Sequence, residues 1–395
     1  MIAWAGDSII SSLGFTTEEC YRSVASGQSG IRLYSSFMGL PEPQMASLID
    51  RERLADSFAA DSFAAVNPCS GGYTALEKAA ILSVGSAAAA AQVDLSDPDV
   101  LFVFSSTKGN VHLLDEGERQ AGRDHIYLWY VARLIAEHFK NPNEPVAVSN
   151  ACISGACAQL VAMRELESGQ YGCAVVVGVE MLSKFIVSGF QSLKALSPEP
   201  CRPFDAARAG LNLGEAAATI VYRRVDSEDE VSSGIALQQG AIRNDANHIS
   251  GPSRTGEGSF RALQALLRGV APGDVAFINA HGTATAYNDD MEATAITRAG
   301  LQATPVNSLK GYFGHTLGAA GVLESIISAR ALANGTALAT HGFKRGEKEP
   351  PVNVTDKNTH TEKAYCIKML SGFGGCNAAL LFKYVKEKSN TCRKP

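Results

Sequence analysis

Pro145-Val146-Ala147-Val148-Ser149-Asn150-Ala151-Cys152-Ile153-Ser154-Gly155-Ala156 runs from an apolar, strand-like segment into small residues suited to a closely packed helix. A cysteine at that junction meets the unpaired N–H groups and the positive dipole end of the helix, a setting that favours an activated thiolate. Two motifs far downstream, Asn279-Ala280-His281-Gly282-Thr283-Ala284-Thr285 and Lys310-Gly311-Tyr312-Phe313-Gly314-His315, each place a histidine in a glycine-bearing turn after an apolar segment. Side chains in such turns can converge on one site. One thiol and two imidazoles point to acyl transfer through a thioester.

At 395 residues the chain exceeds what one hydrophobic core usually serves, so two domains, or two halves around a shared interface, are expected. Hydrophobic residues at 46% against charged residues at 19% match a soluble enzyme and exclude wholesale disorder. The net charge of -5 provides no global basic field, so neither nucleic acid nor an anionic membrane is an expected partner. No apolar run has the length of a membrane span, and the first residues lack the basic region of a secretory leader. Nine cysteines, with neither CxxC pairs nor a zinc-type spacing, fit reduced thiols and a cytoplasmic protein.

Continuous apolar runs at 100–104, 174–179, 217–221, 275–278 and 378–382 alternate with helical patterns at 76–92, 126–139, 157–168, 261–268, 290–299 and 319–333. Buried strands of an α/β protein read this way. Residues 226–230, Asp-Ser-Glu-Asp-Glu, are the clearest break in composition, dividing the chain into halves at 1–230 and 231–395. The tandem Asp-Ser-Phe-Ala-Ala at 56–60 and 61–65 is a local duplication, expected as a helical cap or loop. The basic stretch at 383–394 reads as a solvated tail.

A late loop, Ser371-Gly372-Phe373-Gly374-Gly375-Cys376-Asn377, completes the pattern. Arg202-Pro203-Phe204-Asp205, Arg208, Gly210, Gly214-Glu215, and Leu317-Gly318-Ala319-Ala320-Gly321 with Glu324 stand between the main motifs. In this order, over nearly the whole chain, they resemble the β-ketoacyl-acyl carrier protein synthases of the elongating Cys-His-His type. The resemblance implies a thiolase-like α/β fold, two similar halves in a layered αβαβα arrangement. It implies decarboxylative condensation of an acyl thioester with a malonyl-carrier. Cys152 would hold the acyl group, with the backbone N–H groups of Cys152 and Phe373 as oxyanion donors. His281 and His315 would stabilise the enolate, and neutral imidazoles do so without burying a cation. Lys310 and Glu324 would support the histidines, although a purely structural buried ion pair explains them as well. Thr283 and Thr285 match positions that hold a pantetheine arm, and Phe373 matches a gate. No organic cofactor is implied, and the resemblance allows a bound monovalent cation near Asn279 and Glu324 without the sequence itself assigning one. The implied partners are acyl- and malonyl-loaded carrier protein and a second subunit, giving a homodimer or a heterodimer with a related chain.

The departures from the family pattern bear on substrate. Lys108, in Ser105-Ser106-Thr107-Lys108-Gly109, stands where an apolar wall of the acyl pocket is usual, which points to a short, polar or conjugated chain. Ser371 replaces an aromatic before the gate, and Cys376, where threonine is usual, reads as a packing cysteine rather than the second active-site cysteine of a thiolase. Arg202, Arg208, Lys184 and Arg254 are the candidate carrier-docking cations. Two rival readings are a noncatalytic chain-length subunit, which typically lacks the nucleophile, and a Cys-His hydrolase, which needs an orienting group for one histidine.

Overall fold

The computed structural model describes residues 1–61, 72–115, 122–231, 234–247, 250–346 and 351–386. The first copy of the duplication lies in the helix Arg51–Ala60, while most of the second copy and the tail beyond residue 386 lie outside the described residues.

The main sheet contains β1 (Ile2–Ser11), β2 (Val100–Ser105), β3 (Val146–Val148), β4 (Cys173–Glu180), β5 (Ala216–Arg224), β6 (Ile235–Asn244), β7 (Val275–Asn279), β8 (Val306–Asn307), β9 (Tyr365–Gly372) and β10 (Cys376–Tyr384). Their spatial order is β8-β7-β9-β10-β6-β1-β5-β4-β2-β3. The first five strands and the last five trace one path twice. In each set the first strand pairs antiparallel with the fifth, the fifth antiparallel with the fourth, and the fourth, second and third follow in parallel. The two sets meet only where Ile2 faces Leu237 and Ala3 faces Ala236.

Helices α1 (Ala75–Ala91), α2 (Ser154–Ser168), α3 (Lys184–Ser192), α4 (Glu257–Leu266), α5 (Ala286–Arg298) and α6 (Ala320–Ala333) complete the layers. Ala80 and Val84 of α1 pack on Phe102 and Val177 of the first sheet, whereas Leu263 of α4 and Ile296 of α5 pack on Ile278 and Leu381 of the second. Between the sheets, α2 and α6 share one core with Val176, Ile220, Phe277 and Leu380. This is the layered αβαβα arrangement of a thiolase-like fold. β4 is buried at all its positions, as a strand covered on both faces must be. The apolar runs marked β2, β4, β5, β7 and β10. β1, β6 and β9 were not marked, because Asp7, Gln238-Gln239 and Lys368 interrupt them.

The two inner helices touch backbone to backbone. A Cβ added to Gly155 would lie 2.9 Å from the Val322 nitrogen, and one added to Gly321 would lie 2.5 Å from the Ala156 nitrogen. Neither position has room for a side chain. Gly321→Leu is expected to lower stability by about 1–3 kcal/mol in urea unfolding, because well-packed neighbours must move apart. Gly189→Ala in α3, where an added Cβ meets nothing within 4 Å, is expected to leave stability unchanged or slightly higher. Equal losses from both variants would contradict the packing argument.

Candidate active site

The repeated topology brings two equivalent loops together. β3 leads through Cys152 into α2, and β8 leads through the short helix Lys310–Phe313 and His315 into α6. A third loop after β7 carries His281. Each loop holds a non-glycine residue at positive φ: Ala151 at 44°, Ala284 at 63° and Leu317 at 48°. That conformation costs on the order of 1 kcal/mol per residue, so the surrounding packing must enforce it. Glycine is needed at 314, where φ is 67° and an added Cβ would lie 2.6 Å from the Leu213 carbonyl oxygen.

Donor atoms of Cys152, His281 and His315 lie within 4.8 Å of one another. The imidazole centroids are 5.0 Å apart and the rings stand edge to face at 84°. All three side chains are buried. The Leu317 N–H donates to His315 Nδ1 at 3.3 Å, so a neutral His315 carries its proton on Nε2. Burial, and then the positive charge of Lys310, hold both histidines well below the usual imidazole value. Both rings are therefore neutral at physiological pH.

Burial pushes the Cys152 thiol up to about 12, against the opposing pull of Lys310. The resting nucleophile is thus a protonated thiol, not the thiolate expected from the helix start alone. Desolvation outweighs the favourable charges, and the proton must leave as the new C–S bond forms. The same three donors form a Cys/His set of the kind that holds zinc. The ammonium charges behind both rings oppose a dication there.

Behind the histidines lies a buried charge network. Lys310 Nζ donates to Glu324 Oε1 at 2.8 Å, and Lys368 Nζ lies 2.5 Å from Glu324 Oε2. Burial raises the Glu324 carboxyl, but Lys310 and Lys368 outweigh it and hold the group below its ordinary value. Glu292 accepts the backbone N–H groups of His281 at 2.6 Å and Gly282 at 2.7 Å, and Asp289 accepts that of Thr283 at 3.0 Å. Burial raises Asp289 to about 6 and Glu292 to about 7. Sequence reasoning missed Lys368, Asp289 and Glu292. A lysine inside the apolar run 366–370 was the available signal for the first, and acids three apart on α5 for the others.

A cavity of about 560 Å³ opens onto Cys152, His281 and His315 and is also lined by Thr283, Thr285 and Phe373. The two threonine hydroxyls lie 2.9 Å apart. Phe373 is 39% exposed, and its ring stacks on Phe190 of α3 at 5.8 Å. An added Cβ on Gly372 would come within 3.2 Å of the Cys152 nitrogen, so the late loop's backbone lies against the nucleophile's own amide. Ser371, also on the cavity wall, donates to Asn377 at 3.0 Å, and the Cys376 thiol donates to the Phe373 carbonyl at 3.3 Å. Lys108 is not among the cavity-lining residues. Half-buried, it donates to Thr107 at 3.1 Å, and its charge acts on the buried Glu180 carboxylate and on Cys152. The buried Arg208 is engaged internally with Asp290 at 2.7 Å, whereas Lys184 and Arg254 are exposed.

Residues 2–227 match the family description "Beta-ketoacyl synthase, N-terminal domain", and residues 235–344 match "Beta-ketoacyl synthase, C-terminal domain". The chain belongs to the β-ketoacyl synthase family. A 3-oxoacyl-[acyl-carrier-protein] synthase 2 of Staphylococcus aureus is 31% identical over 258 residues, which are 62% of this chain and 62% of that protein. The chain thus spans about 62% of the length of that curated relative. A β-ketoacyl synthase from Burkholderia phymatum shares the fold with a TM-score of 0.84 at 24% identity, over 97% of this chain and 99% of the other. A ketosynthase solved in complex with its chain length factor from Xenorhabdus doucetiae gives 0.83 at 23%, over 97% and 98%. Among the described residues, no helix is long and apolar enough to cross a membrane.

The protonated thiol has a direct readout. Iodoacetamide alkylation of Cys152, followed by peptide mass, is expected to rise about tenfold per pH unit up to about pH 9 without levelling. A plateau below about pH 8 would show a resting thiolate instead.

Proposed function

We propose that the protein catalyses decarboxylative Claisen condensation of an acyl thioester with a malonyl-carrier, as a 3-oxoacyl-[acyl-carrier-protein] synthase. The observation that carries this reading is the convergence of one thiol and two neutral imidazoles within 4.8 Å on the wall of an open cavity. In the first half-reaction the Cys152 sulfur attacks the acyl thioester, and the carrier thiol leaves with the cysteine's proton. The oxyanion is held by the backbone N–H groups of Cys152 and Phe373, whose loop backbones lie together.

In the second half-reaction the malonyl C–C bond breaks, carbon dioxide leaves, and the electron pair moves onto the thioester oxygen as an enolate. His315, with its proton on Nε2, donates to that oxygen together with His281. The enolate carbon then attacks the Cys152 thioester, and the C–S bond breaks to release the 3-oxoacyl-carrier. Neutral donors suit this step because a cationic imidazole would be costly in a buried site. Lys310 and Glu324 support the histidines, Thr283 and Thr285 line the path of the pantetheine arm, and Phe373 gates the cavity against Phe190.

The retained nucleophile and histidine pair favour a catalytic subunit over a silent chain-length subunit. The carrier protein, loaded with acyl or malonyl groups, is the partner this chemistry needs. β3 is the outermost strand of its sheet and leaves Val146, Ala147 and Val148 partly exposed, and the exposed Tyr127 and Trp129 stack on each other. An uncovered apolar edge of this kind supports a dimer, with a second copy or with a related subunit. The division at residue 230 gives the thiol to one half and both histidines to the other. The seven described cysteines are all unbridged, which fits a reducing, cytoplasmic setting.

Intact-mass measurement with a panel of acyl-carrier thioesters tests the reaction. The adduct is expected to vanish in Cys152→Ala. In His281→Ala and His315→Ala it should still form while malonyl decarboxylation falls about 10²–10³-fold. Free acid as the main product would favour a hydrolase, and no adduct from any donor would favour the silent subunit. We further take Lys108, which stands off the cavity wall, as a group that restricts the acyl chain through its charge near Glu180 and Cys152. Lys108→Ile is expected to shift preference towards longer saturated chains, and an unchanged preference would remove Lys108 from that role.

A further inference from the structure

Lys368 lies in the interior of β9, flanked by Ile367 and Met369, and it is fully buried. A lysine there is costly unless several oxygens replace its water. Three do. Nζ lies 2.5 Å from Glu324 Oε2, donates at 3.2 Å to the Ala280 carbonyl, and reaches the Asn279 carbonyl at 3.5 Å. Asn279 and Ala280 are the two residues immediately before His281.

The charge count shows why a second ammonium matters. Glu324 already has a partner in Lys310, on the far oxygen of the same carboxylate. A structural ion pair needs one cation, so Lys368 is surplus to it. The surplus ammonium joins the loop that ends β7 to Glu324 on α6, two elements that otherwise approach through apolar residues. Burial lowers Lys368 to about 8, against the opposing pull of Glu324, which leaves it cationic at neutral pH. Its charge also contributes to keeping His281 and His315 neutral.

We infer that Lys368 is a positioning residue, a tethered cation whose ammonium gathers the Asn279 and Ala280 carbonyls and Glu324 and thereby sets His281 for the enolate. The inference rests on the proposed condensing role of the histidines. A carboxylate with two backbone carbonyls is also a coordination set that accepts a free monovalent cation, so the side chain's job is one that an ion of similar size can take over once the side chain is removed.

Lys368→Met and Lys368→Gln test this in buffers of potassium, ammonium or choline chloride. Three quantities are followed: acyl loading of Cys152, malonyl decarboxylation, and the melting temperature. In choline both variants are expected to load Cys152 but to decarboxylate about 10–100-fold more slowly through kcat, with KM for the malonyl thioester little changed. Potassium or ammonium should restore most of the rate and part of the melting temperature, and choline should not. The wild type should decarboxylate equally in all three salts. Potassium dependence in the wild type would overturn the inference, because a free ion and not Lys368 would then supply the charge. So would variants with wild-type kcat in choline, or a loss of rate or folding that no small cation repairs. A wild type that loads Cys152 but never decarboxylates malonyl thioester would defeat the condensing role instead, which keeps the two failures apart.

Discussion

The contact between Gly155 and Gly321 is the constraint on which the rest of the molecule depends. Two helices from opposite halves meet there with no side chain between them, and each is led in by a loop that carries a reactive group. Cys152 stands three residues before one glycine and His315 six before the other. Because the backbones touch, the thiol and imidazole cannot drift apart without breaking this close contact between the inner helices. The αβαβα layering, the small residues of α2 and α6, and the doubled sheet path all serve that single approach.

Electrostatics within this frame sets the protonation state of the site. Desolvation dominates at all three central side chains, leaving a protonated thiol and two neutral rings. Buried acids and ammonium groups sit one layer back, where they hold backbone rather than meet substrate. Glu292 and Asp289 take up the N–H groups of the His281 loop, and Lys368 takes up two of its carbonyls. The loop is thereby held through its main chain at both N–H and carbonyl groups, which leaves the imidazole itself unencumbered.

Much of this could be read from the chain alone, for identifiable reasons. The strands with unbroken apolar runs declared themselves, as did the three motif loops, since glycine next to a histidine, or a cysteine leading into small residues, is a local signal. β9 was hidden by Lys368, a residue that looks like a strand breaker until the oxygens around it are known. The doubled topology left no mark in the apolar pattern itself and was foreshadowed only by the resemblance, which implies two similar halves. The charge state of Cys152 was misjudged for a related reason. A helix start is visible in sequence, but the depth at which it is buried is a property of the whole packing.

The division of reactive groups between the two halves also governs how the molecule can fail. Neither sheet needs to unravel for the chemistry to stop, since a slide of one inner helix along the other by a fraction of a turn would part sulfur from imidazole. Activity in this architecture is therefore a gauge of registration between two bodies. It is more sensitive to their relative position than any spectroscopic measure of helix or strand content.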